Sequence, residues 1–238
     1  MPEEKTAIIT GASGGIGSGL VEAFLKQSYR VIATSRNATQ SLIPSPSVIP
    51  VDGDIGRYDT AAKVVEAAIK NFGSIDVLVT AAGINRVKPF TEFTDDDFDA
   101  LISVNLLGFI YIAQLAVQQM LKQKSGSVVG ITASLADNPI GGINASVSMV
   151  TKGGLNALIR SLAIEYAKEG IRFNGVAPGV VDTPLQKDLT KDYLKLRQPM
   201  GRVAVVEDIV DAVLYLVNAG QVTGEILHVD GGAHTGKW

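Results

Sequence analysis

Apolar and polar positions in this chain switch repeatedly between two patterns. Short apolar runs, such as Thr6-Ala7-Ile8-Ile9, Val77-Leu78-Val79 and Ser127-Val128-Val129-Gly130-Ile131, have the character of parallel strands buried on both faces. They predict strands near 5–10, 30–34, 47–52, 76–80, 126–132, 171–176 and 225–229. Between them, apolar residues recur at helical spacing and predict helices near 15–27, 57–72, 95–123, 147–169 and 207–218. Alternation of this kind implies right-handed crossovers and a doubly wound α/β fold, a parallel sheet with helices on both faces. No repeat, low-complexity tract or linker divides the chain, so residues 1–238 are expected to form one domain. The longest irregular stretch runs from Pro178 to Arg202, and a substrate lid is expected at about 184–202.

The ends of the predicted strands carry the chemistry. The first strand enters Thr10-Gly11-Ala12-Ser13-Gly14-Gly15-Ile16-Gly17, and a helix leaves it at Leu20-Val21-Glu22-Ala23. A helix N-terminus offers free backbone N–H groups and a positive dipole end, and glycines let a pyrophosphate come close. The spacing is Gly11-xxx-Gly15-x-Gly17, not G-x-G-x-x-G, so a plain tight βα turn is the alternative. The second strand ends in Ser35-Arg36, a hydroxyl and a cation with no carboxylate. In a dinucleotide fold that position faces the adenosine ribose, and an arginine there favours NADP over NAD. Asp54-Ile55 follows the third strand, where a carboxylate can bond an adenine amino group or simply cap a helix. Thr80-Ala81-Ala82-Gly83 follows the fourth, and its small residues leave room for a ligand in the crevice.

Composition narrows the field. A net charge of −3 without a basic block argues against a nucleic-acid partner. The chain has no cysteine, which excludes disulfides, thiol catalysis and thiolate metal sites and is compatible with a reducing compartment. Met1-Pro2-Glu3-Glu4-Lys5 shows no apolar signal, and no apolar run is expected to cross a membrane, so a cytoplasmic location is expected.

Together these motifs resemble the short-chain dehydrogenase/reductase family in its small single-domain form, and the resemblance covers essentially the whole chain. Thr10–Gly17, with Gly11, Ser13, Gly14, Gly15, Ile16 and Gly17, is similar to the family's TGxxxGIG turn. Asp54-Ile55 is similar to its adenine-side pair, and Asn105 to its buried helix asparagine. Ser134 matches its catalytic serine and Lys152 its catalytic lysine. Pro178-Gly179-Val180-Val181-Asp182-Thr183-Pro184 resembles the PGxIxTP segment beside the nicotinamide, and Gly224 to Gly232 resembles the last strand and closing turn. The resemblance implies a seven-stranded sheet of order 3-2-1-4-5-6-7, NADP(H)-dependent redox chemistry on a small carbonyl or alcohol, and a homotetramer or homodimer. It also implies the roles: Ser134 binds the carbonyl oxygen, Lys152 the ribose, and Asn105 helps position a water.

Two positions depart from the pattern. The family's NAAG reads Thr80-Ala81-Ala82-Gly83, where a threonine hydroxyl can supply only some of an asparagine's bonds. More seriously, the family's YxxxK reads Ser148-Met149-Val150-Thr151-Lys152. A phenol starts near pKa 10 and a neighbouring ammonium can bring it towards neutrality; an aliphatic hydroxyl cannot be brought there. Tyr111 and Tyr166 lie on distant helices and Tyr193 in the expected lid. Ser148 is therefore either a helix residue without chemistry or part of a relay in which it or Ser134 holds a water beside Lys152. A cofactor-binding protein with little turnover, and a non-redox lyase or isomerase, remain as alternatives.

Other candidates have plainer readings. Thr94-Asp95-Asp96-Asp97 reads as a helix cap with acids at the positive dipole end rather than a metal site. His228 and His234 share no motif, and no metal is expected. Gly153-Gly154 inside a helix costs roughly 1 kcal/mol per glycine, which close packing would explain. Leu106, Leu107, Ile110, Leu115, Leu155, Leu158 and Leu162 make wide apolar faces that either pair between subunits or face the sheet. The lone tryptophan, Trp238, is expected to be buried at a subunit contact.

Overall fold

The computed structural model describes residues 4–184 and 198–236. Most of the expected lid, with Tyr193, and the terminal Trp238 lie outside the described residues. The seven strands are β1 (Thr6–Thr10), β2 (Arg30–Ser35), β3 (Val48–Asp52), β4 (Val77–Thr80), β5 (Gly126–Ile131), β6 (Ile171–Pro178) and β7 (Ile226–Val229). They form one parallel sheet of order β3-β2-β1-β4-β5-β6-β7. The order reverses between β1 and β4, and an open parallel sheet has its ligand crevice at that switch point.

The helices are α1 (Gly15–Lys26), α2 (Ala38–Ser41), α3 (Tyr58–Phe72), α4 (Asp95–Leu101), α5 (Gly108–Gln123), α6 (Ser146–Tyr166) and α7 (Val206–Asn218). Successive strand residues point to opposite faces, so each strand feeds two cores. Ile8, Leu78, Val128 and Phe173 pack with α3, α5 and α6 on one face. Ala7, Ile9, Val79, Val129 and Val176 pack with α1 and α7 on the other. Every strand and long helix lies within a few residues of its expected place. Only α2, one short turn after β2, gave no periodic signal.

The stretch expected as one helix over 95–123 is continuous but not uniform. A π-helical turn, Ile102–Leu107, joins α4 to α5 and contains Asn105. Such a turn inserts a residue without breaking the helix and often marks a functional position. The α4 start is as expected: Thr94 and Asp97 form a capping box. Asp97 also pairs with Arg86 at 3.0 Å and with Lys88, and hydrogen bonds from Lys88 and Thr94 hold its carboxyl down to about 2.

One expectation from the apolar pattern needs correction. The helix Asp95–Gln123 spans 29 residues and contains an 18-residue window of mean hydropathy 2.0, long and apolar enough to cross a membrane by length and composition. The apolar content has a place inside the fold: Phe109, Ile112, Ala116 and Met120 are buried against the sheet and α3. Of the other apolar positions, Leu155 is buried in this core, whereas Ile110, Leu158 and Leu162 line a groove of about 380 Å³ between α5 and α6. Gly153 and Gly154 have no tight neighbour; a Cβ on Gly154 would come only within 3.8 Å of Leu106, and one on Gly153 would meet nothing within 4 Å. Packing among the described residues does not account for the helix glycines.

Candidate functional site

At the switch point the carboxyl ends of β1, β2 and β4 bring three threonines into one row. Thr10 pairs in register with Thr34 on one side and Thr80 on the other. Thr10 Oγ1 accepts a hydrogen bond from Ala82 N at 3.1 Å and so sets the loop after β4. The sequence pattern suggested Thr80 for such bonding. The Thr80 hydroxyl itself is buried without a hydrogen-bond partner among the described residues. Thr34 Oγ1 is likewise buried without a partner, on the wall of the cleft.

The glycine turn is built by backbone crowding. Gly11 has φ +69°, and a Cβ there would lie 2.7 Å from Ala82 N. A Cβ on Gly17 would lie 2.1 Å from the Gly11 carbonyl oxygen. Helix α1 therefore starts hard against the turn. Gly14, its N-cap, faces open space, and its first turn carries no acidic residue to compete for the positive end.

A cleft of about 190 Å³ opens beside this turn. Of the residues expected there, Gly11, Ser13, Ser35, Arg36, Asp54, Ile55, Ala82 and Gly83 line it. Asn37, Ile84 and Val104 also line it and were not foreseen; none carries a motif, and only the fold brings them there. Arg36 is exposed and has no carboxylate partner among the described residues. Asp54 accepts a bond from Gly56 N at 3.0 Å, an Asx turn that leaves its second oxygen towards the cleft mouth. Ile55 lines the cleft while packing into the core.

The remaining expected residues take packing positions. Ile16 and Ala81 rest against the α1–α7 core. Val181 is buried and bridges to Ala204, and Gly179 is tucked against Asp230. Pro178 ends β6. Thr183 reaches back over the glycine turn; its Cγ2 lies 3.2 Å from where a Gly15 Cβ would sit.

Behind Gly83 and the loop after β4 stand α6 and the π-turn. Asn105 is buried and fully engaged: Nδ2 donates to Ile84 O and to Thr151 Oγ1, each at 3.0 Å, and Oδ1 accepts from Ile84 N at 2.8 Å. Two residues along the same loop, Ser148 Oγ donates to Arg86 O at 3.1 Å and accepts from Arg86 N at 2.9 Å. Asn105 and Ser148 thus clasp the loop after β4 at alternate residues. One turn beyond Ser148, Lys152 Nζ donates to Ile131 O at 2.7 Å. Burial pushes the ammonium down to about 8. Gly83 lets this group approach, since a Cβ there would lie 3.3 Å from Nζ and 3.4 Å from Asn105 Oδ1. Ser134 is buried in the turn Ser134–Ala136 after β5, and its hydroxyl makes no hydrogen bond among the described residues. Tyr111 packs edge-on against Tyr58, and Tyr166 against Phe173, so both belong to other packing clusters.

The residues fit a dinucleotide on the structure's own terms: a cradle with no room for a side chain at Gly11 or Gly17, an exposed cation at Arg36 without a carboxylate partner among the described residues, and an orphaned hydroxyl on Thr34. Among the described residues no group of three His, Asp or Glu side chains is placed to hold a metal.

Residues 11–234 match the family model described as enoyl-(acyl carrier protein) reductase. The chain is 33% identical over 246 residues to a 3-oxoacyl-[acyl-carrier-protein] reductase of Thermotoga maritima, covering 97% of this chain and 98% of that one. It is 32% identical over 231 residues to carbonyl reductase family member 4 of Xenopus laevis, covering 96% and 97%. The solved structure of ElxO with NADP bound superposes with a TM-score of 0.91 at 28% identity, covering 98% of this chain and all of that one. The sheet order, the glycine cradle and these full-length matches agree: the chain belongs to the short-chain dehydrogenase/reductase family of oxidoreductases.

Proposed function

We propose that this protein is an NADP(H)-dependent oxidoreductase of small carbonyl or alcohol substrates whose active site lacks the family's tyrosine, with Ser148 in its place. The observation that carries the reading is the cleft itself, in which the glycine turn, Arg36, Asp54 and Gly83 share one wall. Gly14, Gly15 and the α1 N-terminus would hold the pyrophosphate. Arg36, which has no carboxylate partner among the described residues, would take the 2′-phosphate, in keeping with the NADP found in the ElxO structure. The bound nucleotide supplies or accepts the hydride.

The chain's own residues then have to orient a carbonyl and manage one proton. Ser134, its hydroxyl uncommitted, is placed to hold the substrate oxygen or a water. Lys152 is the group with a shifted proton affinity, and it replaces the phenol as the source of charge. Ser148 holds Arg86 through both its donor and one acceptor, which makes it a structural clasp. That leaves Ser148 only its second lone pair for a relay and puts most of the proton handling on Ser134 and Lys152. The same clasp favours a second reading, a nucleotide-binding protein with little turnover, because losing a positioned acid costs about 10²–10⁴ in rate. The groove between α5 and α6 supports pairing of copies into a dimer or tetramer.

The test is a fluorescence titration with NADPH, followed by its oxidation against a ketone panel for wild type and Ser148→Tyr. We expect tight binding with slow wild-type turnover. Binding without turnover in either protein removes the redox reading. Turnover only in Ser148→Tyr makes the native chain a binder.

A further inference from the structure

Beyond the nucleotide cleft, three side chains at the carboxyl end of β7 and one from a distant turn form one polar cluster. His228 Nε2 donates to Asp137 Oδ2 at 3.2 Å, and His234 Nδ1 donates to the Asp230 carboxylate at 2.9–3.0 Å. The two rings stack with centroids 4.0 Å apart and planes 19° apart. Asp137 belongs to the turn of Ser134: its backbone N donates to Ser134 O at 3.2 Å. Its carboxylate also accepts from Asn156 Nδ2 at 3.2 Å, one helical turn beyond Lys152. The closing turn Ala233–Thr235, which carries His234, packs on the turn Ser134–Ala136.

Both histidines line a cavity of about 270 Å³ at the sheet edge, with Gln198, Arg202 and Asp208. A carboxylate can only accept, so each ring carries its proton on the nitrogen facing its aspartate. In a neutral imidazole the other nitrogen is then an acceptor. Those nitrogens, Nδ1 of His228 and Nε2 of His234, have no partner among the described residues. A ligand must therefore bring donors. An anion is disfavoured: Asp137, Asp208 and Asp230 surround the rings, and Arg202 is held by both Asp208 oxygens at 2.6 and 2.9 Å. Adjacent hydroxyls on one carbon chain can donate to two acceptors on stacked rings.

We infer that His228 and His234 form the recognition wall for an uncharged, hydroxyl-rich ligand, a sugar or alditol. This names a substrate class for the oxidoreductase reading and depends on that reading only for turnover. The chain has just two histidines, so imidazole ¹H–¹³C spectra of the full protein report the site directly. D-glucose, L-rhamnose and D-sorbitol are titrated to about 50 mM, a range that covers millimolar affinities, with acetoacetate as the anionic control. We expect both signals to move and saturate with at least one polyol and not with acetoacetate. His234→Gln should weaken that binding about fivefold to tenfold, one hydrogen bond's worth. Asp137→Asn keeps side-chain volume while releasing the His228 tautomer, and should weaken it similarly with NADPH binding intact. No movement with any polyol, or movement with acetoacetate alone, overturns the inference. Oxidation of a polyol with NADP is scored in parallel. Movement without oxidation upholds the site and counts against the redox reading; oxidation without movement does the reverse.

Discussion

The two sides of the site, the glycine turn and the α6 wall behind the loop after β4, are made of different material. The glycine wall is backbone packed on backbone: Gly17 against the Gly11 carbonyl, Gly11 against Ala82 N. The α6 wall is side chain reaching to backbone: Asn105 to Ile84, Ser148 to Arg86, Lys152 to Ile131. The first has no slack, since a main chain cannot rotate out of the way. The second can exchange one side chain for another provided the freed polar groups find partners. This is a physical reason why the glycine turn admits so little variation while the α6 side can hold a side chain as short as Ser148.

The contrast breaks most visibly at Gly17. A Cβ at 2.1 Å from a carbonyl oxygen demands that α1 move off the sheet. Gly17→Ala should cost about 3 kcal/mol or more, the range of severe overpacking, and abolish NADPH binding. Urea unfolding with a fluorescence titration checks both. A variant as stable as wild type would mean the turn has slack after all.

On the other wall the largest effect is electrostatic and depends on pH. Burial holds the folded pKa of Lys152 at about 8, below its value in the unfolded chain. At pH 7 both states are protonated, and the fold bears the full cost of a desolvated ammonium. Between pH 8 and the unfolded pKa, the unfolded chain keeps a proton that the folded one has released, so stability rises with pH. Lys152→Met lacks this term. Wild-type stability relative to the variant should therefore climb by roughly 3 kcal/mol between pH 7 and 10.5, measured without nucleotide. Parallel curves would show that the ammonium is solvated in the folded protein.

The difference between the walls also explains what could be read from the sequence. Backbone constraints leave a local signature: the glycines at 11, 15 and 17, the small residues after β4 and the strand pattern all lie within short windows. Their placement followed from the sequence almost unaltered. Contacts between distant segments leave none. Nothing near Ser148 announces Arg86, 62 residues away. Nothing near His228 announces Asp137, 91 residues away. The bond from Ala82 N to Thr10 is of the same kind: it spans 72 residues, and nothing near Thr10 announces it. The π-turn at Asn105 was invisible because an inserted residue shifts helical periodicity too little to register over one turn.

Gly153 offers the smallest effect and the finest discrimination, because it lies on the tolerant wall but is itself a glycine. Among the described residues a Cβ there meets nothing within 4 Å. Alanine in a helix interior is favoured over glycine by roughly 1 kcal/mol, so Gly153→Ala should raise the melting temperature slightly if the chain alone decides. The same holds for Gly154, whose nearest neighbour would be Leu106 at 3.8 Å. Thermal melts with and without NADPH, at two protein concentrations, separate the sources of any deviation. A gain under every condition places the glycines outside all contacts. A loss that grows with protein concentration assigns the bare helix surface to a second copy. A loss only with NADPH assigns it to the nucleotide. In either of those cases the α6 wall would contain one patch as intolerant as the glycine turn, and the division between the two walls would have to be redrawn along that patch.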